Sequence, residues 1–121
     1  MDGLGEEKKL RVIMKTEKAL KVIRDEIEKE GMKVLKIILF GSRARGDFRE
    51  DSDWDLLVVI DKDLPLSHKR EILGNIYKML AEVEGESYEV IITSQRKYEE
   101  LKNYVGTLMH DAEREGILLW S

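Results

Sequence analysis

Two spacings of apolar residues divide this chain into elements. From Glu6 to Lys29, Leu10, Ile13, Leu20, Ile23 and Ile27 fall near one helical face, with Glu and Lys between them. That period predicts a long amphipathic helix, stopped by Gly31. Val34 to Phe40 is nearly continuous in apolar residues, as expected of a strand covered on both faces. Gly41 to Ser52 is polar and glycine-containing, which predicts a loop with a short helix from Arg43. Asp53 to Ile60 predicts a second strand, with Leu57 and Val59 on the face that carries Asp53 and Asp55.

The second half continues the alternation. Ser67 is a predicted N-cap for a helix running to about Val83, with Ile72, Leu73, Ile76, Leu80 and Val83 as its buried stripe. Ser87 to Thr93 predicts a third strand. Gln95 to Glu115 predicts a helix broken near Asn103, with Tyr98, Leu101, Val105, Leu108 and Ala112 on one face. Gly116 stops it, and Ile117 to Trp120 predicts a short closing strand. Both histidines, His68 and His110, are expected at the surface. The fold class expected is α/β (α+β): a mixed sheet of about four strands, helices mainly on one face, and the site on the other. A length of 121 residues predicts a single domain, residues 1–121, with a frayed end over Met1 to Gly5.

Composition narrows the partners. The net charge of −4 argues against broad nucleic-acid binding, although Arg43, Arg45 and Arg49 form a local basic cluster. Cysteine is absent, which excludes disulfides and thiolate metal sites. The N-terminus is acidic without an apolar signal region, and no run approaches the roughly 18 apolar residues of a membrane span. A cytoplasmic location is expected. Charged residues reach 38%, against a usual value of about 25%, and Asn and Gln are scarce, which leans toward a thermophilic source.

The chemistry concentrates between Ile37 and Ile60. Asp53 and Asp55 alternate with Trp54, so their carboxylates point the same way along a strand. Two such charges at close range call for a shared proton or a shared cation. Oxygen-only ligands suit a hard ion such as Mg²⁺, which takes one or two carboxylates and completes its shell with water and substrate phosphates. Gly41 lets a phosphate approach the backbone, and Ser42 offers a hydroxyl that can cap a helix from Arg43, whose N-terminal N–H groups attract anions. Arg43 and Arg45 add positive charge. A glycine-serine turn or an acidic pair alone is most often a plain turn; together, each against its own strand, they point to a metal–nucleotide site.

Gly41-Ser42, ten intervening residues and then Asp53-Trp54-Asp55 resembles the signature of the DNA polymerase β-like nucleotidyltransferases. The fuller string, Gly-Ser-Arg-Ala-Arg-Gly followed by Ser-Asp-Trp-Asp-Leu, is similar to the minimal nucleotidyltransferases (MNT), antitoxin partners of helical HEPN toxins. The resemblance implies the polymerase β-like fold and Mg²⁺-dependent transfer of AMP from ATP to a hydroxyl, a tyrosine of the HEPN partner. It implies that Gly41, Ser42, Arg43 and Arg45 bind nucleotide and that Asp53 and Asp55 hold metal. It also implies a third carboxylate on the strand beside the acidic pair. Glu89 is the residue placed to match it, where the family more commonly has aspartate.

Three alternatives compete. A binding antitoxin would neutralise its partner by contact alone. A P-loop phosphotransferase fails because Asp47-Phe48 replaces the required Lys-Ser/Thr. A drug-modifying adenylyltransferase would need a substrate-binding half that this length leaves no room for, unless a homo-oligomer supplies it.

Overall fold

Four strands in the order β3-β2-β1-β4 set the position of everything else. They are β1 (Val34–Phe40), β2 (Trp54–Ile60), β3 (Tyr88–Ser94) and β4 (Ile117–Trp120). The computed structural model describes residues 2–83 and 85–121. β1 runs antiparallel to β2 and to β4, whereas β2 and β3 are parallel, so the sheet is mixed as expected. Among the described residues the helices are α1 (Asp2–Glu28), α2 (Ser42–Arg45), α3 (Leu66–Val83), α4 (Gln95–Leu101) and α5 (Leu108–Glu115).

Strand alternation sends side chains to two unequal cores. On one face Ile37, Leu39, Leu56, Val58, Ile60, Val90 and Ile92 pack against Leu20, Ile23 and Ile27 of α1 and Ile72, Ile76 and Leu80 of α3. On the other, Ile38, Leu57 and Val59 pack against Tyr98 of α4 and Ala112 of α5. The two long helices share one face, and the short pair covers only part of the other. Asp55 and Glu89 lie on that second face by strand parity. The outer edge of β3 is protected: the Tyr77 hydroxyl accepts from Val90 N at 2.8 Å and donates to Val90 O at 3.3 Å.

Several expected details move. α1 begins at Asp2 rather than Glu6, so residues 2–5 of the expected frayed end are helical and Met1 lies outside the described residues. At about 1.5 Å per residue, α1 is nearly twice the length of a seven-residue strand. Leu10, expected in the buried stripe, is exposed: at about 100° per residue it lies well round the helix from Ile23, off the face that carries Val12, Ile13, Thr16 and Ile27. α3 starts at Leu66, one residue before the expected cap Ser67, and Val83 at its end is exposed.

The break near Asn103 is wider than expected. The Thr107 hydroxyl donates to Leu101 O at 2.9 Å and accepts from His110 N at 3.1 Å, so Thr107 caps a new helix. Gly106, at φ 95°, turns the chain just before it. The stripe loses its phase across this turn, and Val105 is 86% exposed. His110 is half-buried rather than exposed. Among the described residues no helix is long and apolar enough to cross a membrane.

Candidate active site

The end of β1 and the start of β2 meet at the candidate site. Phe40, the last residue of β1, pairs with Asp55 of β2, so Gly41 leaves the sheet directly over that carboxylate. Gly41 has φ 76° and ψ −158°, a region only glycine occupies comfortably. A β-carbon there would lie 2.2 Å from Asp55 Oδ2. Glycine is thus required twice, by its own backbone and by the neighbouring carboxylate.

β3 brings the next acid. Asp55 pairs with Glu89 across the parallel ladder, which sets the two side chains on one face. Burial lifts the Asp55 carboxyl above its ordinary range. The charges of Glu89 and then Asp53 push it the same way, and Arg45 opposes them. Asp53, just before β2, is exposed and accepts a hydrogen bond from the Ser87 hydroxyl. Among the described residues no three acidic or histidine side chains stand close enough to enclose an ion by themselves. An oxygen donor set of this charge still fits a hard divalent cation that takes one or two carboxylates and fills its shell elsewhere.

The glycine-serine turn differs from expectation in its detail. Gly41, not Ser42, is the N-cap, and the single turn of α2 starts at Ser42. Ala44 N and Arg45 N both donate to Gly41 O at 3.1 Å. The N–H groups of Ser42 and Arg43 precede that pattern, as the first donors of any helix do.

The two arginines part company. Arg45 is exposed on the site's side, with Nε 3.3 Å from Asp47 Oδ2 and Nη1 3.5 Å from Glu115 Oε1. Arg43, expected among the phosphate-binding residues, points inward and is buried. Its guanidinium donates to Ser52 O at 3.0 Å and Glu50 O at 3.0 Å. It lies between the rings of Phe48 and Trp54, at 4.5 and 4.4 Å from their centroids. Arg43 therefore holds the loop between the turn and the acidic pair; its planar fork and stacking suit that post.

Sequence reasoning passed over Glu86 and Ser87. Trp54 Nε1 donates to Glu86 Oε2 at 3.1 Å and Trp54 N to Ser87 O at 2.9 Å. The signal was a second alternating pair, Ser87-x-Glu89, which mirrors Asp53-x-Asp55 but means nothing until the two strands are paired. Glu115 was also missed; it reaches Arg45 only because α5 packs beside β1.

Residues 21–121 match the family model "Polymerase beta, Nucleotidyltransferase". Two relatives from Methanocaldococcus jannaschii are similar over short stretches. "Putative protein adenylyltransferase MJ0604" is 49% identical over 51 residues, covering 41% of this chain and 51% of that protein. "Putative protein adenylyltransferase MJ0141" is 44% identical over 41 residues, covering 34% and 41% respectively. The chain thus spans about half the length, or less, of these curated relatives. A solved structure of a mutant of the toxin-antitoxin MntA-HpeT superposes over 87% of this chain and 72% of its own, with a TM-score of 0.58. At 21% sequence identity that likeness is one of fold. With the family match running through the sheet, the Gly41-Ser42 turn and all of the acidic cluster, this chain belongs to the polymerase beta nucleotidyltransferase family.

Proposed function

We propose that this protein transfers AMP from ATP to a tyrosine hydroxyl on a helical, HEPN-type toxin and thereby acts as an antitoxin. The observation that carries the reading is Asp55 paired with Glu89 at the open end of the sheet, within electrostatic reach of Asp53 and with Gly41 against its carboxylate. Asp53 and Asp55 would hold Mg²⁺. When bound, the ion supplies charge neutralisation and Lewis acidity for phosphoryl chemistry.

The chain's own residues do the rest. Gly41 leaves room for phosphate beside the Asp55 carboxylate. The Ser42 hydroxyl and the Arg45 guanidinium hold triphosphate oxygens, with Arg45 exchanging its surface partners Asp47 and Glu115 for phosphate. Glu89, exposed beside Asp55, takes the proton of the acceptor hydroxyl. The bond that forms joins the acceptor oxygen to the α-phosphorus, the bond that breaks frees pyrophosphate, and the acceptor proton ends on Glu89. A tyrosine hydroxyl, with a pKa of about 10, is a weak nucleophile at neutral pH and needs such help.

The names of the similar proteins support the acceptor class: protein adenylyltransferases by sequence, and a toxin-antitoxin by fold. A phosphodiester on the toxin would place negative charge where a ribonuclease must hold RNA phosphates. Intact-mass measurement of the toxin after co-expression tests the reading. One added AMP is expected with the wild-type chain and none with Asp53→Asn or Asp55→Asn. A toxin that stays unmodified yet is neutralised by the wild-type chain would instead identify a binding antitoxin.

A further inference from the structure

We infer that Ser87 is a positioning residue for Asp53, fixing which carboxylate oxygen faces the metal–nucleotide site. This rests on the assignment of Asp53 as a metal ligand above. The two carboxylates of the acidic pair are held by different means. Asp55 lies inside β2, partly buried, with Gly41 against Oδ2 and Glu89 paired beside it. Packing and ladder register restrict its rotamer. Asp53 precedes the strand and is exposed, so no packing restricts it. An exposed aspartate keeps its rotamer freedom and must surrender it when it binds an ion.

The segment leading into β3 supplies the missing restraint. Glu86 and Ser87 are laced to Asp53 and Trp54 by three hydrogen bonds. Trp54 N donates to Ser87 O at 2.9 Å, Trp54 Nε1 donates to Glu86 Oε2 at 3.1 Å, and Ser87 Oγ donates to Asp53 Oδ1. The first two fix the segment to a tryptophan that is itself buried and stacked on Arg43. The third uses that anchorage. It occupies Oδ1 and leaves Oδ2 for an ion, so Asp53 is set as a single-oxygen ligand. Ser87 immediately precedes β3, whose register pairs Asp55 with Glu89, so one segment serves both aspartates. Losing a partner of this kind behind a ligating group typically costs about 10–100-fold in metal affinity.

Mn²⁺ reports this without turnover. Its binding is measured by the paramagnetic resonance signal of the free ion, with the protein saturated by a non-hydrolysable ATP analogue. Ser87→Ala is expected to weaken Mn²⁺ binding about tenfold, and Ser87→Thr, which keeps the hydroxyl, to stay within about twofold of wild type. Melting temperature should not move in either, because the side chain is exposed. Equal or tighter Mn²⁺ binding in Ser87→Ala, or equal weakening in both variants, would overturn the inference. Asp53→Asn separates this from failure of the underlying reading. If it weakens binding while Ser87→Ala does not, Ser87 alone is excluded. If wild type and Asp53→Asn bind Mn²⁺ alike, the metal assignment of Asp53 falls and Ser87 falls with it.

Discussion

Gly41 and Asp55 touch: no side chain larger than a hydrogen fits between the Gly41 Cα and the Asp55 carboxylate. The contact joins the two halves of the sequence motif, one from each antiparallel strand. Gly41→Ala would meet both a β-carbon clash and a backbone conformation that costs about 1–3 kcal/mol for any other residue. We expect a lowered denaturation midpoint. Adenylyl transfer should fall by about a hundredfold, the scale of an ångström's misplacement of a reacting group. Transfer retained at the wild-type rate would refute the contact's importance.

Asp55→Asn separates stability from activity. A carboxyl whose folded pKa is raised costs stability once ionised. That cost is absent below the unfolded pKa and complete above the folded one. The asparagine variant should therefore resist urea better than wild type at pH 7, with the difference closing as pH falls through the ordinary aspartate range. Transfer should be lost at every pH. A variant less stable than wild type at neutral pH contradicts this.

Arg43 and Arg45 should fail in opposite ways. Arg43→Lys loses the paired donors to loop carbonyls and the stacking on two rings, a cost of about 1–3 kcal/mol seen in thermal melts. Arg45→Ala should leave the melt unchanged and raise KM for ATP about tenfold. A stable Arg43→Lys, or an unstable Arg45→Ala, would reverse the two assignments.

Glu86 sets part of the acid limit. The Trp54 indole N–H holds its carboxyl below the ordinary range, with the Lys15 charge assisting and burial opposing. A depressed folded pKa contributes stability that is present above the unfolded pKa and lost as pH falls through the folded one. Melting temperature should therefore drop more steeply below about pH 4.5 in wild type than in Glu86→Gln. Parallel curves for the two proteins would remove this role.

The sequence by itself determined the elements and the chemistry of the motif. β1 and β4 begin and end where apolar runs begin and end, and Ile72, Ile76 and Leu80 of α3 are buried as their spacing predicts. Alternation predicted Asp53 and Asp55 on one side of a strand, and the glycine before Ser42 marked the turn that approaches Asp55. These are local properties, fixed by a period of two or 3.6 residues. Tertiary structure decided what no local period encodes. Parallel pairing of β2 with β3 set Glu89 beside Asp55 and brought Ser87 to Asp53. Packing of the 41–53 loop turned Arg43 inward and left Arg45 outside, although the two differ in sequence by one alanine. The reason is common to these: strand partners and loop packing depend on residues far apart in the chain, and the position of one residue in its own helix or strand carries no information about them.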